Sequence, residues 1–142
     1  MDSIDHSIGS FGDNTETIRN RLQAYCDELS ERQLPMLLSV TKEAQTQLEC
    51  DGFLYRGRRR FVELMFSDDR LDIVHIMGTE PDHDELQEIL QQAYGEPSFR
   101  SSQAIYYPLQ GISLRTQPFE ISFVSERVRE EYGQYIRSLG SP

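Results

Sequence analysis

His75 is the residue whose type and setting come nearest to acid–base chemistry. It lies between Val74 and Ile76 in an apolar run typical of a strand, and Glu63 belongs to the strand before it. An imidazole beside a carboxylate can act as a general base if a nucleophile is in reach. The sequence has no nucleophile elbow, phosphate loop or zinc-protease motif. We therefore expect no catalytic residues, and interpret His75 as a sheet residue satisfied by a hydrogen bond.

A group of arginines surrounds Gly57 and contrasts with the acidic rest of the chain. Guanidinium groups bind oxyanions bidentately, so the group predicts a contact site for a phosphate or an acidic peptide. The simpler interpretation is a solvated hairpin tip whose charges offset nearby carboxylates and prevent edge pairing. The predicted binding residues are Arg56, Arg58, Arg59 and Arg60.

Two acidic segments contain oxygen ligands of the kind that hard cations prefer. Asp68 and Asp69 precede Asp72, and a second segment covers residues 80–85 with His83 among its carboxylates. The spacing of a calcium loop is missing, and consecutive helical residues point in different directions. We interpret the first segment as a turn and the second as a helix N-terminus, and we expect neither a metal nor a cofactor.

The charge balance limits the classes of partner. The 142 residues include 24 acidic and 14 basic ones, which gives a formal charge of −10. Such a charge repels phosphate backbones, so nucleic-acid binding is not expected. No apolar run approaches the roughly 20 residues of a membrane span, and the N-terminus lacks the basic start of a signal peptide. We predict a cytoplasmic protein with no membrane contact.

The two cysteines, Cys26 and Cys50, are far apart in the sequence. Their spacing fits neither a zinc site nor a Cys-x-x-Cys redox pair. In a cytosolic domain two such residues are usually small buried side chains, so no disulfide framework is predicted.

The first half of the chain predicts an arm, a helix and three strands. Residues 1–12 have no apolar period and are expected to form a flexible arm. Helix N-caps at residues 13–15 precede an apolar face that ends before Pro35, formed by Ile18, Leu22, Tyr25 and Leu29. Residues 36–46 favour a short second helix, and a strand over 37–41 is the alternative. Strands are expected at 48–55, 60–66 and 71–77, joined by tight turns.

The second half repeats this pattern with clearer signals for where its helix begins and ends. Asp82 as N-cap and Glu85 three residues later predict a capping box, and Gly95 marks the end of that helix. Strands are expected at 104–108, 112–116 and 119–124. Ser125 is expected to cap a last amphipathic helix.

These elements predict a single α+β domain over residues 13–142. Its antiparallel sheet has about six strands, arranged as two three-stranded meanders, with amphipathic helices at the N-terminus, in the middle and at the C-terminus. The two halves match in pattern, which raises the hypothesis of an internal duplication.

The strands of the first meander are apolar on both sides. Phe61 and Met65 lie on the side opposite Val62 and Leu64. A sheet with one wet side alternates apolar and polar residues, so something must cover the second side. The cover is expected to be helices on both sides, a curled sheet that closes on itself, or another chain. The last of these predicts a homodimer or another protein partner.

In element order and acidic charge the chain resembles the type III secretion chaperones and their relatives. The resemblance implies a protein that binds other proteins, although the sixth strand departs from the usual five and no motif of that group is present. The favoured hypothesis is a non-enzymatic interaction module acting as an adaptor, chaperone or regulator. The alternative is a small-molecule or lipid binder with a pocket between sheet and helices, and a hydrolase ranks last.

Overall fold

The computed structural model describes residues 7–140, which form three α-helices and one open antiparallel sheet of eight strands. The helices are α1 (Thr15–Leu22), α2 (Glu80–Tyr94) and α3 (Arg129–Arg137), the last preceded by a 3₁₀ turn at Glu126–Val128. The strands are β1 (Glu28–Leu34), β2 (Gln45–Tyr55), β3 (Arg58–Ser67), β4 (Arg70–Met77), β5 (Phe99–Arg100), β6 (Ala104–Tyr107), β7 (Ile112–Thr116) and β8 (Phe119–Val124).

The sheet consists of two four-stranded units that meet in its middle. The strand order is β1-β2-β3-β4-β8-β7-β6-β5, so each unit is a meander and β4 pairs with β8. One helix precedes each unit, α1 the first and α2 the second. The predicted class, α+β with an antiparallel sheet, is confirmed. The predicted number of about six strands is wrong, because β1 and β5 were not predicted.

The two faces of the sheet pack against different helices. On the first face, α1 and α2 bury an apolar core that includes Leu22, Leu64, Leu86 and Phe123. On the second face, α3 packs over β6 and its surroundings through Val128, Tyr132 and Ile136. No helix of the described residues is long and apolar enough to cross a membrane.

The predicted N-terminal helix is too long. Asn14 caps α1 by accepting the Thr17 N–H, as the capping pattern predicts, but the helix ends at Leu22. Residues 28–34 instead pair with β2, from Glu28 opposite Asp51 to Leu34 opposite Gln45. The spacing of Leu29 also fits a strand, and pairing with a distant segment overrides the local helical pattern.

The loop over residues 35–44 is neither the predicted helix nor the alternative strand. Side chains from elsewhere satisfy its backbone. The Gln45 amide oxygen accepts the N–H groups of Leu37 and Leu38, and the Asp68 carboxylate accepts those of residues 42–44. These bonds replace the hydrogen bonds that a helix would have made internally.

Cys26 and Cys50 form a disulfide, so the prediction of two separate thiols is wrong. Cys26 follows α1, and Cys50 lies in β2 on the core face. The strand pairing of β1 with β2 brings Cys26 beside Cys50 across 24 residues of sequence. Such a long-range approach leaves no signal in the local sequence.

Two helix starts differ from their predictions. The N-cap of α2 is Thr79, and Asp82 is the N3 residue that completes its capping box, so the predicted box is displaced by one turn. Ser125 does not cap the last helix; its hydroxyl donates to Asp72 in β4. Asp82 and Ser125 thus form hydrogen bonds with residues of other elements, Arg60 and Asp72, and neither is the N-cap that the sequence predicted.

The predicted arm falls partly outside the described residues, which exclude 1–6 and 141–142. Within its second half, Ile8 is fully buried in the core with Ile18 and Leu22. The Gly12 N–H donates to the Leu71 carbonyl at 2.9 Å. Residues 7–12 therefore pack against the domain.

Candidate functional site

A row of polar side chains crosses the second face of the sheet at one level. Strand register places five residues side by side on neighbouring strands of this face. We call them the polar row: Glu49, Glu63, His75, Ser122 and Ser113. Because opposed residues of antiparallel strands point to the same face, each member is the direct cross-strand neighbour of the next.

His75 lies at the centre of the polar row. Its Nδ1 is 2.6 Å from the Ser122 Oγ and 3.5 Å from a carboxylate oxygen of Glu120. Only 16% of its side chain is exposed. Burial lowers the pKa of His75, and the Glu120 and Glu63 carboxylates offset only part of that effect. His75 is therefore neutral at pH 7.

Glu63 lies next to His75, and no cation of the described residues pairs with it. The Gln47 amide donates to Glu63 at 2.8 Å and to Glu49 at the same distance. Glu49 also pairs with Arg32 at 3.2 Å. Within residues 7–140, no lysine or arginine nitrogen lies within 4.0 Å of the Glu63 carboxylate.

The polar row is closed at one end by α3. The Tyr132 hydroxyl lies 2.8 Å from the Ser113 Oγ, and Arg115 beside it pairs with Glu120 at 3.3 Å. Burial raises the pKa of Tyr132 to about 12, so its hydroxyl stays protonated. This end of the row is a satisfied internal network.

The middle of the row, at Glu63 and His75, is partly exposed and has apolar flanks. Phe61, two residues before Glu63 on β3, is 37% exposed. Met65 and Met77 are partly buried, and Phe61 and Met77 line one shallow depression. We call this partly exposed region the open patch and define it by Phe61, Glu63, Met65, His75 and Met77. Phe61 is its most exposed member, and Met65 also packs against the core beneath α3.

The serine and histidine of the row do not form a nucleophile that a substrate can reach. Ser122 is fully buried, and β8 on which it lies pairs on both sides, with β4 and β7. An acyl-transfer site needs an approach to the hydroxyl and free N–H donors for the oxyanion. The arrangement is that of a hydrogen-bonded sheet histidine.

The four predicted binding arginines lie at the tip of the β2–β3 hairpin, but their side chains have different partners. Arg60 is buried on the first face and binds Asp82 with both terminal nitrogens. Arg56 pairs with Glu85 at 2.5 Å. Arg59 donates to the Gly52 carbonyl and lies 3.6 Å from Asp27. Arg58 is exposed. Three of these side chains thus bind the chain itself, and a contact site formed by all four stays a prediction.

The acidic segments have structural partners. Hydrogen bonds from the backbone of residues 42–44 lower the pKa of Asp68. The Arg60 guanidinium holds the pKa of Asp82 well below its usual range, with help from Thr79. Asp68 therefore holds the loop at residues 42–44, and Asp82 connects α2 to Arg60 of β3.

The space between α2 and the sheet is small. It is lined by Arg60, Asp82, His83, Leu86 and Phe119, among others, and its volume is about 10 Å³. The His83 Nδ1 is buried there, and it has no hydrogen-bond partner among residues 7–140. Ligand pockets have volumes of roughly 300–1,000 Å³, so this cavity has room for about one water molecule.

No protein-family model, curated protein or solved structure matches this chain. The resemblance to the type III secretion chaperones in element order is thus unsupported by a match. The class of protein rests on the fold and the site alone.

Sequence reasoning identified part of the site. The apolar side chains on both faces of β3 were predicted from alternation. Glu63 was placed on the strand next to His75, but the register that sets the two opposite each other was left open. Ser122, Glu120 and Gln47 were missed, because they reach His75 and Glu63 through long-range strand pairs. Only the register of β4 against β8 reveals that Ser122 is the neighbour of His75.

Proposed function

We propose that the protein is a non-enzymatic interaction module that holds a protein partner on the open patch. The observation that carries the proposal is Phe61, an aromatic side chain 37% exposed in the middle of a strand. Large apolar side chains that stay partly exposed beside polar neighbours on a sheet are typical of a binding surface.

The composition of the open patch supports a protein partner. Aromatic residues and methionine are enriched in interfaces, and methionine adapts to irregular partner surfaces. Phe61 with Met65 and Met77 provides this kind of surface beside a strand pair that is rigid through its ladder. A rigid apolar surface loses little entropy when a partner binds.

The alternative of a small-molecule or lipid binder has weaker support. The space between α2 and the sheet is about 10 Å³, far below a ligand pocket. The hydrolase hypothesis is weaker still, because Ser122 is fully buried.

The proposed location needs a separate test. A cytoplasmic protein is normally kept reduced, whereas Cys26 and Cys50 are paired as a disulfide. We propose the cytoplasm on the charge and sequence of the chain. Alkylation of thiols at the moment of cell lysis, followed by mass spectrometry, tests it: a fully oxidised pair contradicts the proposal.

Photo-crosslinking tests the proposed function. A benzophenone amino acid replaces Phe61, and the control replaces Ile89, which lies on α2 and is 41% exposed. We expect a crosslinked protein from position 61 and none from 89. The purified crosslinked protein should bind the wild type and Ile89→Asp, and fail to bind Phe61→Asp.

The fold of each variant is checked by its melting temperature. Equal crosslinking from positions 61 and 89, or full binding by Phe61→Asp, would contradict the assignment of the open patch as the binding surface.

A further inference from the structure

We infer that the partner of the open patch supplies one lysine or arginine side chain that pairs with Glu63, with apolar side chains against Phe61 and Met65. The inference rests on the proposed function and adds the chemistry of the partner. The feature behind it is the charge distribution along the polar row.

The carboxylates nearest to Glu63 already have a cation, both Glu49 in the row and Glu120 beside it. Arg32 pairs with Glu49 at 3.2 Å, and Arg115 pairs with Glu120 at 3.3 Å. Glu63 lies between these pairs and receives one hydrogen bond from Gln47. His75, its neighbour on the other side, is neutral at pH 7 because burial lowers its pKa. The row therefore has one uncompensated negative charge in the open patch.

The arginines of the β2–β3 hairpin do not supply the missing cation. Arg60 points to the first face, where it binds Asp82. Arg59 donates to the Gly52 carbonyl at 2.9 Å and also neighbours Asp27. Both are engaged away from Glu63. Arg58 lines the shallow depression beside Phe61, but it lies within 4.0 Å of no described carboxylate. Within residues 7–140 no arginine of the hairpin therefore pairs with Glu63, and we assign the cation to another molecule.

The free energy of desolvating Glu63 on binding indicates which kind of partner fits the open patch. An apolar surface laid on Phe61 and Met65 would remove water from the half-buried Glu63 carboxylate. Desolvating a carboxylate that has no cation costs free energy comparable with the whole gain from the apolar contact. A lysine or arginine at this point restores the lost interaction and adds a charge-assisted hydrogen bond.

A second copy of the chain fits less well. A two-fold contact centred on the open patch brings two Glu63 carboxylates together, and each copy has a formal charge of −10. Like charges facing each other across an interface cost free energy. The same charge favours association with a basic partner.

The test uses capped nine-residue peptides with leucine at alternate positions and a central lysine. A matched peptide has norleucine in place of lysine. Binding is measured by calorimetry at about 0.15 M salt, where unspecific attraction is screened, and located by amide chemical shifts. We expect the lysine peptide to shift the amides of Phe61, Glu63 and Met65, and to bind about tenfold more tightly than the norleucine peptide.

The protein variants are Glu63→Gln, which keeps the Gln47 hydrogen bond, and Glu88→Gln, an exposed carboxylate on α2 with the same change in net charge. Glu63→Gln should remove the preference for lysine, and Glu88→Gln should keep it. Glu63→Lys should instead prefer a peptide with central glutamate.

The outcomes separate the two proposals. Equal affinity for the lysine and norleucine peptides, or equal loss in both glutamine variants, overturns the inference, while photo-crosslinking at Phe61 can still support the interaction module. A wild-type dimer in light scattering that dissociates in Phe61→Asp shows that a second copy occupies the patch, and it also overturns the inference.

Discussion

The His75 Nδ1 lies 2.6 Å from the Ser122 Oγ, across the boundary where the two four-stranded units meet. The pairs on either side of it are apolar, Val74 with Phe123 and Ile76 with Ile121. A slip of two residues would place His75 opposite Val124 or Glu120 and break this hydrogen bond. The pair therefore specifies the register at which the units join, a role known for buried polar pairs.

We predict that His75 makes the stability of the domain fall on acidification. Its pKa in the folded state lies below the ordinary value of 6.5 because of burial. The unfolded chain binds a proton near pH 6.5 that the folded chain resists, so this contribution to the free energy of unfolding is present above pH 6.5 and lost as the pH falls through the folded pKa. The charged groups around it are Glu63, Glu120 and Arg115.

Urea unfolding of the wild type and His75→Gln, at pH 7.5 and pH 5, measures this effect. We expect the variant to lose about 1 kcal/mol at pH 7.5, from the Ser122 hydrogen bond, and to depend less on pH than the wild type. The dependence left in the variant belongs to the carboxylates and to His83, whose pKa burial also lowers. Identical pH dependence in both proteins would refute the prediction.

The ion pair of Arg60 with Asp82 connects β3 to the start of α2. Arg60 is 6% exposed, and the side chain of Asp82 is 15% exposed. We predict that Arg60→Met lowers the free energy of unfolding by about 2–4 kcal/mol, because it leaves Asp82 as a half-satisfied buried charge. Arg58→Met, two residues away and exposed, should change it by less than about 0.5 kcal/mol.

The same pair predicts acid sensitivity. Since Arg60 holds the pKa of Asp82 below its usual range, the stabilisation is present above the ordinary value of 3.8 and lost as the pH falls below it. Acid titration of the wild type should show this loss, and Arg60→Met should show less of it. An equal loss in both proteins would rule out the pair as its source.

Features that depend on local interactions were predicted from the sequence, and features that depend on long-range contacts were not. The β2–β3 and β3–β4 turns, the six predicted strands and the Asn14 cap depend on residues within a few positions, and the sequence predicts them. The strand β1 exists because Glu28–Leu34 pairs with residues that lie 11 to 23 positions further along the chain. Local spacing favoured a helix there, since Leu29 continues the apolar face of α1.

The candidate site shows the same division. Alternation along β3 places Phe61 and Glu63 on one face without any structure. The partners that determine their chemistry, Gln47 and Ser122, come from β2 and β8. Their contacts depend on strand order and register, which hydrophobic patterns alone leave open.

The disulfide is predicted to contribute about 3 kcal/mol to stability. It closes a loop of 24 residues in sequence separation between Cys26 and Cys50, and the chain-entropy relation gives a value of that size for such a loop. The double variant Cys26→Ala with Cys50→Ala should unfold at lower denaturant concentration than the wild type. A reducing agent should lower the wild-type midpoint and leave the variant unchanged; a shift in both would point to another cause.

The contact between Asp72 and Arg127 controls how α3 is held against the second face. Asp72 is 1% exposed and accepts hydrogen bonds from the Ser125 hydroxyl at 2.5 Å and from Arg127 at 2.7 Å. Arg127 also donates to the Ser67 carbonyl at 3.1 Å. These bonds connect the ends of β3 and β4 to the turn that leads into α3.

We predict that Asp72→Ala costs about 3 kcal/mol, because two donors lose a buried acceptor. Hydrogen exchange should become faster in α3, including at Tyr132, before it changes in α2. Glu126→Gln, an exposed carboxylate in the same turn, is the matched control and should leave exchange in α3 unchanged. Uniformly faster exchange in α2 and α3 would mean that Asp72 stabilises the whole domain, and unchanged exchange in both would mean that the contact holds neither.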